Sequence, residues 1–167
     1  MFFKGKTVAV VGGGNSAAAD AMILSRIAKK VLLIHRRDTL RATKIYHEPL
    51  MAAENIEFHW NSEVTELLSG EKLTGLRLRN AVTGESEQVE CDGVFISVGR
   101  TPSTDWWEGS CIWIRRYIVA GETTETNIPG VYAVGDVRTK RLCQIISAAA
   151  DGAAAAHMAE EHLADRV

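Results

Sequence analysis

The sequence predicts a mixed α/β fold: a parallel sheet with a crossover helix, interrupted by an antiparallel β excursion and followed by a segment of different character. Three observations predict it. Two short apolar runs, Thr7–Val11 and Val31–Ile34, flank a glycine turn and a helical pattern. Such runs read as central strands of a parallel sheet, buried on both faces. Strand-like segments between 73 and 91 meet at Ala81-Val82-Thr83-Gly84, which has the composition of a hairpin turn. After Gly99 the pattern changes: residues 101–127 hold three of the four tryptophans, Pro102 and Pro129 mark turns, and an alanine-rich helix closes the chain.

Taken in order, Gly12-Gly13-Gly14 ends the first strand. Ala17, Ala21, Leu24 and Ala28 then fall on one face at helical spacing. Lys29 and Lys30 stand where the negative end of that helix dipole is expected. Strand, turn, helix and strand over 7–34 make a βαβ unit with a right-handed crossover. A basic turn, His35 to Thr43, follows. A short helix is expected near 44–54, with Pro49 forcing a break or a new first turn, because an interior proline costs about 3 kcal/mol. Strands are expected at 56–60, 62–68, 73–80, 86–91 and 94–98, the last of them buried. Val131–Val134 reads as a short buried strand closed by Gly135-Asp136. The last helix runs from about Gln144 to Leu163, with Gly152 weakening its middle. Residues 1–99 and 100–167 are expected to be separate domains with a hinge near 99–103.

Composition excludes several classes. Of the 167 residues 46% are hydrophobic and 24% charged, which is globular, and the net charge is −2. That balance provides no electrostatic footprint for nucleic acid or an anionic membrane. No apolar run approaches the span of a membrane helix, and Met-Phe-Phe-Lys-Gly-Lys is no secretory leader. Cys91, Cys111 and Cys143 are far apart, which argues against a disulfide framework, a zinc ribbon or a local redox dithiol. They read as reduced thiols of a cytoplasmic protein. The five histidines lack metal spacing, so no metal site is expected. Ser16 is not in G-x-S-x-G, and no nucleophile–base set is apparent, so no catalytic residue is assigned.

Gly12-x-Gly14-x-x-Ala17 matches the dinucleotide fingerprint of a Rossmann-like βαβ unit. The first glycine permits the tight turn, the second lets backbone approach a pyrophosphate, and the small third residue lets helix pack on strand. A helix N-terminus there offers free N–H groups to phosphate. An acidic residue at the end of the second strand would suit the ribose of NAD. This chain instead has His35, Arg36 and Arg37, then Arg41. Cations there suit a 2′-phosphate, pointing to NADP(H). Taken singly, a ligand-free glycine turn and a solvated basic loop are the plainer readings; their combination favours the coenzyme.

The ordered string GGGNSA, HRRDTLRA, a hairpin, VFISVGRTP, NIPGVYAVGDV and QIISAAADGAAAA resembles the bacterial low-molecular-weight thioredoxin reductases, within the pyridine-nucleotide flavin disulfide reductases, over nearly the whole chain. The resemblance implies that residues 1–99 are an NADPH-binding domain and 100–167 the C-terminal, incomplete segment of a split FAD-binding domain. Gly13, Gly14, Asn15 and Ser16, with Gly12 opening the turn, would lie along the NADPH pyrophosphate. His35, Arg36, Arg37 and Arg41 would hold the 2′-phosphate, and Val98, Gly99 and Arg100 would pass close to the nucleotide. Asp136, after Gly135, would bind the FAD ribityl or phosphate, and Gln144 and Ile145 would face the flavin. Thioredoxin or a similar small redox protein would be the partner, and a homodimer is one assembly open to the chain.

The family's FAD fingerprint and its redox Cys-x-x-Cys would both precede Phe2, and neither pattern occurs in the 167 residues. The chain is therefore expected to be inactive alone, the FAD site incomplete. The alternative is a freestanding, non-catalytic NADP(H)-binding module. There are departures too: Ala19-Asp20 where paired acids are usual, Cys143 where arginine is usual, and a shorter, more aromatic stretch from Trp106 to Tyr117. Residues 100–167 are expected to expose apolar surface and to be less stable than 5–99.

Overall fold

A computed structural model describes residues 2–107 and 109–165, so Glu108 of the aromatic stretch lies outside the described residues. The chain divides into two compact units, Met1–Gly99 and Arg100–Val167.

The first unit contains β1 (Thr7–Val11), α1 (Asn15–Ser25), β2 (Lys30–His35), α2 (His47–Ala52), β3 (Ile56–Trp60), β4 (Ser62–Ser69), β5 (Leu73–Asn80), β6 (Ser86–Glu90) and β7 (Gly93–Ile96). A parallel sheet has the order β3-β2-β1-β7, and an antiparallel sheet the order β4-β5-β6. Strand alternation sends Val8, Val10, Val31 and Leu33 to one face, where they pack on Ala17, Ala21 and Leu24 of α1 and Leu50 of α2. Ala9, Leu32 and Ile34 face the other way, against Leu76 and Leu78 of β5 and Cys91. The parallel sheet is thus the middle of three layers, helices on one side and the antiparallel sheet on the other. Coverage of both faces is why its strands read as continuous apolar runs. Each aliphatic side chain fully buried this way stabilises the fold by roughly 1.5–3 kcal/mol.

Three expectations need correction in this unit. Lys29 and Lys30 do not complement a helix end: α1 stops at Ser25 with no basic residue in its last turn, and Lys30 opens β2 and pairs with Glu57. The antiparallel excursion begins at Ser62 rather than 73, because β4 pairs with β5 from Ser62↔Asn80 onward. Asn61, at φ 53°, redirects the chain between the sheets; asparagine tolerates that left-handed conformation better than most residues. The last parallel strand ends at Ile96, and Ile96 and Val98 are exposed rather than buried. Pro49 occupies the third position of α2, in the first turn, where its missing N–H forfeits no helical bond.

The second unit contains β8 (Trp113–Ile114), β9 (Tyr117–Ile118) and α3 (Ile145–Ala164). Its buried apolar cluster is small: Ile118, Ala120 and Ala133, with Trp107, Cys111 and Val137 against it. Residues 131–134 do not form the expected strand. Tyr132 makes an isolated bridge to Glu125, Ala133 N–H donates to the Thr124 carbonyl, and Val134 is exposed. Their pairing with residues 124–126 does not extend beyond that single bridge, and a 3-10 turn starts at once with Gly135. Gln144 and Ser147 form a reciprocal capping box at the start of α3. Asp151 is the buried residue of that helix. No helix among the described residues is long and apolar enough to cross a membrane.

With so few buried apolar groups, residues 100–165 should open at lower free energy than β1 and β2. Native-state hydrogen exchange is expected to show weaker amide protection throughout the second unit than at Val8–Val10 and Val31–Leu33. Equal or slower exchange in α3 would contradict this.

Candidate nucleotide site

The C-terminal ends of β1, β2 and β7 converge on one cleft, the place where open α/β sheets bind ligands. At the end of β1, Gly12 has φ +146°, and a Cβ there would lie 2.3 Å from the Ser97 carbonyl oxygen and 2.9 Å from Ala17 Cβ. Conformation and space both demand glycine. The small third position of the fingerprint, Ala17, is the residue that lets α1 sit so close. Gly14 is the N-cap of α1, with extended backbone, no side-chain cap and no acid in the first turn. Ala18 N–H takes the first helical bond, to the Gly14 carbonyl. The N–H groups ahead of it are therefore free to meet an anion, and nothing lies within 4 Å of where a Cβ of Gly14 would stand. Asn15 and Ser16 are exposed on this edge.

The basic loop is fastened to the glycine turn. Arg41 and Ala42 both donate their backbone N–H to the Gly13 carbonyl, at 2.7 and 3.0 Å. Thr43 N–H donates to Asn15 Oδ1 at 2.8 Å. Leu40 and Ala42 are buried in the core, which leaves Arg36 and Arg41 exposed and lining the cleft. Arg37 is exposed beside them but is not part of the lining; its carbonyl accepts from Asn61 N–H at 3.1 Å. His35 lines the cleft while being only 5% exposed. Burial foremost, then the charge of Arg41, pushes its pKa below the ordinary imidazole value. A hydrogen bond to the Thr39 backbone opposes this, and Arg37 and Arg36 add to it. Burial and the neighbouring arginines thus disfavour the charged form of the ring.

The cleft encloses about 710 Å³. Its remaining walls are Ser62–Leu67 of β4 and Ile96–Gly99 after β7, so Val98 and Gly99 do join the glycine turn and the arginines. The β4 wall escaped sequence reasoning. Glu63, Val64, Thr65, Glu66 and Leu67 carry no motif, and only the convergence of parallel strand ends beneath a second sheet locates them. Glu66 is paired with Arg77 at 2.7 Å. Asp20, the single acid of the first helix, accepts a hydrogen bond from Ser97 Oγ and ties α1 to the end of β7.

Arg100, Gly135, Asp136, Gln144 and Ile145 belong to the second unit, and all but the half-buried Gly135 are exposed. Gly135, at φ 72°, turns the chain ahead of Asp136, and its N–H donates to Asp151 Oδ2 at 2.8 Å. The Asp151 carboxylate also receives Arg138 in a bidentate pair, at 2.9 and 2.6 Å, and Lys140 Nζ at 2.8 Å. Hydrogen bonds from Arg138 and Lys140 outweigh burial and hold the Asp151 carboxyl well below the usual carboxylate range. Sequence reasoning missed this cluster, because an aspartate in an alanine-rich helix reads as a solvated position. Among the described residues no group of three His, Cys, Asp or Glu side chains could hold a metal ion.

The family described as pyridine nucleotide-disulphide oxidoreductase matches residues 3–153. A thioredoxin reductase of Streptomyces clavuligerus is 44% identical over 98% of this chain and 52% of its own length. One of Listeria monocytogenes is 42% identical over 97% of this chain and 51% of its own. The crystal structure of Lactococcus lactis thioredoxin reductase (FR conformation) superposes with a TM-score of 0.77 at 36% identity, over 98% of this chain and 55% of that one. That of Streptococcus pyogenes thioredoxin reductase gives 0.78 at 37% identity, over 98% and 54%. The chain spans about half the length of the relatives it matches. With the mixed parallel and antiparallel architecture in common, this chain belongs to the pyridine nucleotide-disulphide oxidoreductase family and is similar to thioredoxin reductases over almost all of its length.

Proposed function

We propose that these 167 residues are the NADPH-binding part, with a C-terminal FAD-domain segment, of a thioredoxin-reductase-like flavin-dependent disulfide oxidoreductase. The observation that carries the reading is one cleft presenting an uncapped helix N-terminus and two exposed arginines, Arg36 and Arg41, on a loop hydrogen-bonded to the glycine turn. The donor set fits the coenzyme: free N–H groups at Asn15–Ala17 and the open side of Gly14 suit the pyrophosphate, and the arginines suit a 2′-phosphate through charge-assisted bonds. Arg37 adds positive charge at the rim. Val98 and Gly99 form the wall towards the rest of the nucleotide.

In this reading residues 1–99 bind coenzyme, and residues 100–167, with Gly135, Asp136, Gln144 and Ile145, contribute to a flavin site completed by sequence outside these residues. Bound NADPH would supply hydride to a flavin, whose electrons pass to a disulfide. The chain's own residues bind and orient the coenzyme. Cys91, Cys111 and Cys143 lie far apart in sequence with no Cys-x-x-Cys spacing, which supports the reading that the 167 residues alone do not turn over. Thioredoxin or a similar small redox protein is the partner proposed for the complete enzyme.

The test is binding selectivity. Replacing Arg36 and Arg41 together by alanine should weaken NADPH binding about 10- to 100-fold, as expected for lost hydrogen bonds to a charged group, while NADH affinity stays within about twofold. Titration of protein fluorescence with each coenzyme reads both. Parallel loss of both coenzymes, or wild-type preference for NADH, would overturn the assignment of the 2′-phosphate to these arginines.

A further inference from the structure

Gly13 is the one glycine of the turn that neither φ nor the fingerprint explains. It occupies the variable position of G-x-G, and its φ lies outside the left-handed region. Yet a Cβ on Gly13 would lie 2.3, 2.4 and 2.5 Å from Cε1, Nε2 and Cδ2 of His35. The three atoms nearest to such a side chain all belong to the imidazole.

His35 is equally constrained from its own side. It ends β2, a central strand, and pairs in register with Trp60 of β3, whose ring meets it edge-on at 6.4 Å. The ring is buried and its Nε2 has no hydrogen-bond partner. It is packed between Trp60 and the glycine turn, with a hydrogen bond to the Thr39 backbone as its polar contact and none at Nε2. The Gly13 carbonyl, in turn, is the acceptor that holds Arg41 and Ala42. Ring, turn and basic loop therefore form one stack.

We infer that His35 is a positioning residue of the coenzyme cleft: its ring sets the height of the phosphate-binding turn through Gly13, and it does not itself select the 2′-phosphate. This rests on the coenzyme reading above, and it assigns His35 and Gly13 a joint role that the arginines do not share.

The test is a four-protein cycle: wild type, Gly13→Ala, His35→Ala, and the double variant. Each is assayed for the Kd of NADPH and of NADH and for Tm. Gly13→Ala should weaken both coenzymes at least 10-fold and lower Tm, because the new methyl meets the ring. His35→Ala should weaken both by a common factor of about 3- to 10-fold, leaving the NADPH/NADH ratio within twofold of wild type. The double variant should bind both coenzymes within about threefold of His35→Ala, and its Tm should exceed that of Gly13→Ala. A double variant as weak as the product of the single effects would overturn the inference, because the methyl would then be harming something other than the ring. A selective loss of NADPH in His35→Ala would overturn it differently, by making His35 a phosphate ligand. Should wild type bind neither coenzyme, the functional reading fails, and the Tm cycle still decides whether His35 sets the turn.

Discussion

Replacing Asp151 with alanine is expected to cost about 3–5 kcal/mol and to unfold residues 100–165 selectively, because it strands two buried cations at once. Arg138 and Lys140 both spend their charge on this carboxylate, each with a side chain only 8% exposed, and Gly135 N–H donates to it as well. The apolar cluster available to compensate is small. Limited proteolysis combined with urea denaturation checks it: the first unit should survive under conditions that degrade the second. Asp151→Asn keeps an acceptor for Gly135 but leaves the cations uncompensated, so it should recover only a minor share. A joint replacement of Asp151, Arg138 and Lys140 by apolar residues of similar volume should be milder than Asp151→Ala. If Asp151→Ala leaves the second unit resistant, the cluster is not what holds the Gly135 turn.

The same group sets an acid limit. Its folded pKa lies below the unfolded value, so its stabilisation is fully present at neutral pH. That contribution declines as pH falls below the ordinary aspartate pKa of about 4. Acid should therefore loosen the second unit before the first, and the Asp151→Ala variant should lose this pH dependence.

The second large effect is expected at Gly12. Alanine there must adopt φ near +146° and place its Cβ 2.3 Å from a backbone carbonyl, which together should destabilise the first unit by about 3 kcal/mol or more. Since the obstruction is backbone of the neighbouring strand end, no side-chain rotation relieves it. Gly14→Ala provides the contrast. Its Cβ meets nothing and its backbone is extended, so stability should change by no more than about 1 kcal/mol, the scale of a poorer N-cap. Coenzyme affinity should nonetheless fall, since the methyl stands on the open side of the cradle. Thermal melts with coenzyme titrations separate the two substitutions; comparable loss of stability in both would refute the geometry described for the turn.

The βαβ unit was legible because each signal was local. Apolar runs, a glycine turn and a helical face over 7–34 depend on neighbours a few residues apart. The arginines were legible as charge at a strand end. For His35, sequence shows that an imidazole stands beside three arginines, but not that its ring is buried, where burial and those same arginines lower its pKa. The β4 wall and the Asp151 cluster stayed hidden because each forms between segments distant in the chain, Asp151 being 13 residues from Arg138. Val131–Val134 misled because its pairing with residues 124–126 stops at one bridge, a length that local composition does not set.

The staple between Gly13 and the basic loop has an evolutionary consequence. Two of the bonds that fasten the loop run from the backbone N–H groups of Arg41 and Ala42 to the Gly13 carbonyl and survive any change of side chain except to proline, while the third, from Thr43 N–H, needs the Asn15 side chain. Arg36 and Arg41 are therefore free to be replaced without disturbing the turn they flank. If the arginines select the coenzyme as proposed, that preference would be a surface property carried on a frame that does not depend on it, open to change by one or two substitutions at little cost to folding.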